Sequence, residues 1–141
     1  GRDGCRTPMP WTGAAGAGFS SGMPWLPVPE AHQALSVAAQ EADPGSVLNV
    51  FRAFMAWRRA QPALVAGSIA FLDTAEPVLA FVREAEGQKM LAVFNLSAEA
   101  ADYELPHGPW RPVDGHGLPA VAPAAGVARL PAYGALYALA G

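Results

Sequence analysis

The segment Val78-Leu79-Ala80-Phe81-Val82, followed after the turn residues Glu86-Gly87-Gln88 by Met90-Leu91-Ala92-Val93-Phe94, gives the clearest indication of the fold class. Both apolar runs are short, and both are bounded by residues that favour turns. Such runs are typical of core strands in an antiparallel sheet. The segment therefore predicts two buried neighbouring strands.

Similar runs lie on both sides of this segment. Ile69-Ala70-Phe71-Leu72 precedes it, and weaker candidates follow at Asp102 to Leu105, Pro109 to Val113, Val127 to Leu130 and Ala135 to Leu139. About seven short strands with Gly and Pro turns predict a mostly β chain, with an antiparallel β-sandwich of Greek-key type over residues 65–141. Pro112 and Pro131 must then lie at edges or strand ends, because proline has no N–H to donate.

Residues 44–64 read as a helix and a linker. Asp43-Pro44 provides a helix cap with proline at the first helical position, and Val47, Val50, Phe51 and Phe54 recur at helical spacing. Arg58 and Arg59 would lie in the last turn, before Pro62. These signals predict a helix from about 44 to 60, with a broad apolar face that must pack against something substantial.

Residues 1–43 are rich in Gly, Pro and Ala and show no sustained period. This composition predicts an extended loop. A loop of that length is uncommon inside a compact domain unless it is functional or wraps a surface. Standing alone, it is expected to be poorly ordered.

Composition excludes several classes of protein. With a net charge of −3, nothing favours nucleic acid or an anionic membrane as a partner. Cys5 is the only cysteine, so no intrachain disulfide forms. No run approaches a membrane span and no signal peptide is visible, although this absence says nothing about the compartment if residues precede Gly1. A cytoplasmic location is expected. Only 15% of residues are charged, which predicts heavy burial or a surface that docks on another body.

The first eleven residues, Gly1-Arg2-Asp3-Gly4-Cys5-Arg6-Thr7-Pro8-Met9-Pro10-Trp11, resemble a segment of the α-glucosidase and oligo-1,6-glucosidase branch of the α-amylase superfamily, glycoside hydrolase family 13. Further family-like elements follow in order. They are Gly18-Phe19-Ser20, Pro24-Trp25-Leu26-Pro27-Val28, Asp43-Pro44-Gly45-Ser46-Val47-Leu48-Asn49, the passage from Arg58 through Pro62-Ala63-Leu64 to Gly67, and Phe94-Asn95-Leu96-Ser97. The Gly-Cys-Arg form of the opening motif favours the bacterial α-glucosidase side.

The resemblance implies a division of the chain. Residues 1–43 would be the loop after barrel strand eight, 44–64 the last barrel helix and a linker, and 65–141 a C-terminal β-sandwich. A complete (β/α)8 TIM barrel needs about 250 residues, so the barrel would be incomplete. We expect the C-terminal portion of a retaining, exo-acting α-glucosidase that hydrolyses terminal α-linked glucose from maltose-type or short oligosaccharides. The alternatives are an oligo-1,6-glucosidase or a sucrose- or trehalose-forming isomerase of the same branch, and a non-catalytic structural or carbohydrate-binding sandwich.

By the same resemblance, Arg2, Asp3 and Phe19 are the candidate substrate-binding residues. Arg2 would contact the non-reducing glucose, because arginine offers several hydrogen-bond donors in a rigid plane and keeps its charge. The structural alternative for Arg2 is a salt bridge with Asp3 or with an acid across an interface. Phe19 and Trp25 could stack on a sugar ring or pack within the loop, whereas packing is favoured for Trp11.

No catalytic residue is expected in the chain. Retaining hydrolysis needs a carboxylic acid and a carboxylate about 5–5.5 Å apart. The resemblance places both upstream, and none of Asp3, Glu30, Glu41 or Asp43 matches those positions. We therefore expect the chain alone to be inactive, with a small oligosaccharide and the missing N-terminal barrel as its partners.

The remaining candidates have plainer interpretations. Cys5 has no nearby histidine and is expected to fill space, and Arg6 is expected to brace the loop by binding backbone carbonyls. His107, Asp114 and His116 lack a recognised metal-ligand spacing, so neither a metal nor any other cofactor is expected. Tyr103, Trp110, Tyr133 and Tyr137 could form a carbohydrate-binding surface, although core and edge packing is favoured.

Overall fold

The computed structural model describes all residues from 1 to 141 and is mostly β. The helices are α1 (Glu30–Gln33), α2 (Val37–Ala42), α3 (Val47–Arg59) and α4 (Pro62–Ala66). The strands are β1 (Ser68–Phe71), β2 (Val78–Ala85), β3 (Gln88–Asn95), β4 (Ala101–Glu104), β5 (Trp110–Pro112), β6 (Val127–Leu130) and β7 (Ala135–Ala140). The chain divides into two compact units, Gly1–Arg52 and Ala53–Gly141, and the division falls within the sequence of α3. None of the helices combines the length and hydropathy that a bilayer span requires.

All seven predicted strands are present in the second unit, and every pairing between them is antiparallel. Five strands form one sheet in the order β1-β2-β3-β7-β5, and β4 and β6 form a second. Pro112 is the last residue of the edge strand β5, and Pro131 follows β6 directly, as predicted. The mostly β fold class, with a C-terminal antiparallel β-sandwich, is confirmed.

The central strand β3 divides its side chains between the two faces of the larger sheet. Leu91 and Val93 belong to one buried cluster, which includes Ala128 and Leu130 of β6. Met90 and Ala92 belong to another, which includes Ala63 and Leu64 of α4 and Tyr137 of β7. Because successive side chains of a strand point to opposite faces, a nearly continuous apolar run indicates a strand covered on both sides.

A row of aromatic rings crosses the face that α4 covers. Ring centroids are 5.7 Å apart for Phe71 and Phe81, 5.7 Å for Phe81 and Phe94, and 5.8 Å for Phe94 and Tyr137. Trp57 of α3 lies 4.9 Å from Tyr137 at the end of the row. These separations are typical of stabilising aromatic pairs, so the C-terminal half of α3 is fixed to the sheet by ring packing.

Helix α4 differs from the prediction at Pro62, which begins this helix instead of only ending the preceding one. Proline is tolerated in the first turn of a helix, where its missing N–H has no intrahelical partner. The Gln88 side chain accepts a hydrogen bond from Ala63 N at 3.0 Å and donates one to Gln61 at 2.9 Å. Arg58 donates to the carbonyl of Leu64 at 2.7 Å. The hairpin between β2 and β3 therefore caps α4 from outside the helix.

The first unit is not the extended loop that its composition predicted. It contains two short 3-10 turns, at Asp3–Cys5 and Ala15–Gly18, followed by α1 and α2. Ser36 is buried and caps α2, accepting a hydrogen bond from Ala39 N through its hydroxyl. Glycine and proline interrupt any long periodic element here, but they do not prevent single turns stabilised by local caps.

Helix α3 begins at Val47, and the proposed cap at Asp43-Pro44 is wrong. The hydroxyl of Ser46 accepts the hydrogen bond from Asn49 N at 3.2 Å, which is the contact of a helix N-cap. Asp43 instead accepts from Gly45 N at 2.9 Å and stabilises the turn before the helix. The Asn49 side-chain amide donates to the carbonyls of Gln40 and Asp43 at 2.9 and 2.8 Å. These bonds join the end of α2 to the start of α3.

Candidate functional site

Arg2 and Asp3 stand at the first 3-10 turn, and both are exposed. The carbonyl of Arg2 accepts hydrogen bonds from Cys5 N at 3.3 Å and from the Cys5 thiol at 2.9 Å. Arg6 N donates to the Asp3 carbonyl at 3.0 Å. Neither the Arg2 guanidinium nor the Asp3 carboxylate forms a hydrogen bond or an ion pair within the chain. The turn therefore holds the backbone of both residues and leaves both charged groups free to bind a ligand or another part of a larger protein.

Two neighbouring expectations are corrected. Cys5 does not fill space, because it is exposed and ties the turn through its thiol. The Arg6 side chain is exposed and binds no carbonyl of this chain, so it does not brace the loop. The sequence gives little indication of the bond from the Cys5 thiol to the Arg2 carbonyl. The only signal is the spacing of three residues, which allows such a bond without requiring it.

The second 3-10 turn presents Phe19. The carbonyl of Ala17 accepts from both Trp11 N and Thr12 N, at 2.8 and 3.0 Å, and Phe19 N donates to Gly16 at 2.9 Å. Gly18 has a φ of +68°, and a Cβ there would lie 2.9 Å from the Thr12 hydroxyl oxygen. The small residues of this stretch therefore let the chain turn back closely on Trp11 and Thr12.

Helix α2 holds the end of the opening motif in place. Val37 N donates to the carbonyl of Pro10 at 2.9 Å, and Ala38 N donates to that of Trp11 at 3.0 Å. The first N–H groups of a helix have no partner within it, so these two bonds use donors that would otherwise be unsatisfied. Backbone bonds thus hold the end of the motif against α2.

The aromatic side chains of the first unit remain accessible. The exposed fractions are 49% for Trp11, 54% for Phe19 and 81% for Trp25. No hydrogen bond joins the turn at Arg2 and Asp3 to the turn at Phe19. All three candidate substrate-binding residues are thus exposed, Arg2 and Asp3 at the first 3-10 turn and Phe19 directly after the second.

Two of the acidic residues of this unit have structural partners. Glu41 forms an ion pair with Arg52 at 3.0 Å, and Asp43 is engaged in its turn. Asp3 and Glu30 are exposed. That the catalytic carboxylates lie elsewhere stays a prediction.

His107, Asp114 and His116 do not form a metal site, and no group of three such side chains in the chain could hold a metal ion. His116 is buried between Trp57 and Tyr137, with ring centroids 5.4 and 5.5 Å away. Its Nδ1 accepts a hydrogen bond from Leu118 N at 3.1 Å. The residue therefore helps to close the aromatic cluster against α3.

The four aromatic residues considered for sugar binding are dispersed. Tyr137 is buried in one cluster, whereas Tyr103 and Trp110 pack against the other. Trp110 also donates from its indole nitrogen to the Pro106 carbonyl at 3.0 Å. Only Tyr133 is widely exposed, in the turn before β7. They do not form a common platform for a saccharide, and the packing interpretation holds for three of them.

Comparison with protein families divides the chain at residue 68. Residues 1–67 match the model of the α-amylase catalytic domain, and residues 69–136 match the model of the maltogenic amylase C-terminal domain. The two models together account for nearly the whole chain, in the order that the motifs indicated.

Curated relatives are glucoside-processing enzymes by name. A probable α-glucosidase of Rhizobium meliloti is 46% identical over 98% of this chain. A glucan 1,6-α-glucosidase of Streptococcus pneumoniae is 37% identical over 72% of it. These matches cover 25% and 19% of the relatives' own sequences. The chain thus spans a quarter or less of the length of these relatives.

Solved structures contain the same arrangement of elements. An α-glucosyl transfer enzyme, XgtA, superposes with a TM-score of 0.95 at 52% identity, covering all of this chain and 26% of that one. The trehalulose synthase MutB from Pseudomonas mesoacidophila gives a TM-score of 0.85 at 30% identity, covering 99% of this chain and 26% of that one.

Proposed function

Because the chain belongs to the α-amylase superfamily, glycoside hydrolase family 13, we propose that it is the C-terminal part of a retaining, exo-acting α-glucosidase. In this proposal residues 1–43 form a loop of the sugar pocket, 44–64 the last helix of the catalytic domain with its linker, and 65–141 a stabilising sandwich. The substrate is a maltose-type or other short oligosaccharide with a terminal α-linked glucose. A cytoplasmic location stays a prediction.

The observation that carries the proposal is that the charged groups of Arg2 and Asp3 have no partner within the chain. Both charged groups are exposed and unpartnered within the chain, although the backbone beneath them is fixed by hydrogen bonds to Cys5 and Arg6. The absence of a bond between the two side chains argues against a salt bridge of Arg2 with Asp3 and leaves a ligand or an acid across an interface as the partner of Arg2. A rigid turn with a free guanidinium suits a sugar, whose hydroxyls accept from several donors in one plane.

The exposed apolar side chains of the first unit are evidence that another domain covers this surface in the longer protein. The exposed fractions are 99% for Met23, 81% for Trp25, 81% for Val47 and 60% for Phe51. Large exposed apolar groups of this kind indicate an interaction surface. In our proposal the remainder of the catalytic domain, which also supplies the nucleophile and the acid, covers them.

Glucosyl transfer is the second candidate function, and the 52% identity to XgtA favours it. Retaining enzymes form a covalent glycosyl intermediate, which water hydrolyses and which a sugar hydroxyl can intercept instead. Hydrolysis, transfer and isomerisation therefore differ in the acceptor. In our proposal Arg2 and Asp3 bind the same terminal glucose in each case, and other parts of the pocket select the acceptor.

The test is turnover of 4-nitrophenyl α-glucoside and of maltose. We expect the longer enzyme that carries this chain to release α-configured glucose, as seen by NMR of the first product anomer, and the 141-residue chain alone to be inactive. Transfer products in the presence of added maltose would favour the second candidate. Turnover by the pure chain, or inversion at the anomeric carbon, would contradict the proposal.

A further inference from the structure

A groove of about 870 Å³ lies in the second unit, between the connection that joins β1 to β2 and the strand β4. One wall is residues 72–78, and the other is residues 100–104 with Pro106. The volume falls within the usual range of binding sites. None of its lining residues belongs to residues 1–43, the segment assigned to the proposed sugar pocket.

The free edge of β4 forms one wall of this groove. β4 has β6 as its only neighbour, with Tyr103 opposite Ala128 and Ala101 opposite Leu130. Leu105 N donates to Gly126 O at 2.8 Å, which fixes the alternation of the ladder. In an antiparallel pair the hydrogen-bonded residues alternate along the strand. Tyr103 and Ala101 therefore bond to β6, whereas the N–H and C=O groups of Asp102 and Glu104 face away from it.

Carboxylates line both walls. Asp73, Glu76 and Glu104 are exposed and form no ion pair or hydrogen bond through their side chains within the chain. Asp102 is bound to Arg129 across the strand pair at 3.2 Å. The carboxylates do not converge on a point that could hold a metal ion. The groove thus combines an unpaired strand edge with dispersed negative charge.

We propose that the free edge of β4 binds an extended basic segment of another protein as an added strand. Main-chain bonds to Asp102 and Glu104 hold the segment, and alternate Lys or Arg side chains lie beside their carboxylates. The intervening side chains face the side of the sheet that carries Tyr103. A second copy of β4 does not fit, because like charges directly opposite each other repel.

A strand suits the groove better than a saccharide does. Sugar rings stack on an exposed aromatic face, but Tyr103 packs against the core cluster, and burial raises the pKa of its phenol. The groove offers backbone donors and acceptors in a row, which an extended chain satisfies in pairs. The inference is independent of the proposed glucosidase function.

The test compares two capped hexapeptides of equal composition, Lys-Val-Lys-Val-Lys-Thr and Lys-Lys-Lys-Val-Val-Thr, against the 141-residue chain by NMR. We expect the alternating peptide to bind more tightly, to protect the Asp102 and Glu104 amides from hydrogen exchange, and to weaken with added salt. Equal binding of the two peptides, no binding at millimolar concentration, or displacement of the peptide by maltose would overturn the proposal.

Two variants and one control sharpen the test. Glu104→Pro removes an N–H that faces away from β6, so the strand pair survives while the added strand loses a bond and binds about fivefold less tightly. Glu104→Lys reverses the charge and should weaken binding further, which also covers the case in which the proline variant fails to fold. Glu99→Lys makes the same charge change outside the groove and should bind as the parent does. Unchanged affinity in the Glu104→Lys variant would overturn the proposal.

Discussion

The side-chain amide of Asn95 donates a 2.9 Å hydrogen bond to the backbone carbonyl of Pro131, 36 residues further along the chain. The same amide donates to Glu99 O at 2.6 Å, and its oxygen accepts from Ser97 N at 3.1 Å. Asn95 is almost fully buried. It therefore ties the end of β3 to the connection between β6 and β7 through partly buried hydrogen bonds, which satisfy its own buried amide.

Replacing Asn95 by Ala should lower the free energy of unfolding by about 3 kcal/mol, because several partly buried hydrogen bonds of one side chain are lost at once. Urea denaturation of the 141-residue chain measures the change. Ser97→Ala, which removes one hydroxyl from the same turn, serves as the milder control at about 1 kcal/mol. A loss in the Asn95 variant no greater than in the Ser97 variant would show that this amide is not the principal tie.

Gly67→Ala should destabilise the second unit by about 2 kcal/mol or more, since a Cβ there collides with the carbonyl of Ala63 and lies 3.0 Å from that of Glu84. Both atoms are backbone, so neither can move aside cheaply. Gly13→Ala is the matched control, because nothing lies within 4 Å of its added methyl group. Thermal unfolding should separate the two variants, and equal midpoints would contradict the packing described at the end of α4.

The strands and the site residues differ in how far the sequence predicts them. The central strands β2, β3 and β7 follow from short apolar runs, because most of their side chains are buried or half-buried. β4 follows instead from alternation, with Asp102 and Glu104 exposed and Ala101 and Tyr103 half-buried. Helix α4 was missed because Pro62 suits either the end of one helix or the start of the next. Helix α2 has two sequence signals, the cap Ser36 and the Ala-rich composition of the helix itself. Both were outweighed by the Gly and Pro residues of the surrounding segment.

The site itself is only partly predictable. The resemblance predicts Arg2, Asp3 and Phe19 as substrate-binding residues, whereas their exposure and the bond from Cys5 depend on the folded geometry. Ala17 has a positive φ of 54°, which no propensity of alanine indicates. The free backbone groups of β4 could not be predicted from the sequence, because only the register of the β4–β6 pair shows which N–H and C=O groups face away from β6.

Phe51, on the exposed face of α3, should matter more in the longer enzyme than in the 141-residue chain. Phe51→Asp should change the stability of the 141-residue chain by no more than about 1 kcal/mol, because the ring is 60% exposed there. In the longer enzyme the same change should cost about 3 kcal/mol, since it buries a charge against the covering domain. Phe51→Leu in the longer enzyme is the control and should cost far less. Equal losses in the two proteins would rule out the covering domain.

Alkaline pH should weaken the second unit through Tyr137. Burial raises the pKa of its phenol to about 12 from an ordinary value of 10.0. The neutral form is favoured in the folded state, so the stability is fully present below pH 10 and is lost as the pH rises toward 12. The loss is on the order of 2 kcal/mol. Tyr137→Phe, compared with the parent by urea denaturation from pH 9 to pH 11.5, should be the less pH-sensitive of the two; parallel profiles would contradict the assignment.

The most direct measurement is kcat/KM on maltose for Arg2→Ala in the longer enzyme, with Arg6→Ala as the control from the same turn. We expect the Arg2 variant to lose about a hundredfold or more, roughly 3 kcal/mol of transition-state stabilisation, with an unchanged unfolding midpoint. The Arg6 variant should stay within a few fold of the parent. An Arg2 variant with unchanged kcat/KM would contradict the role of this turn in the sugar pocket.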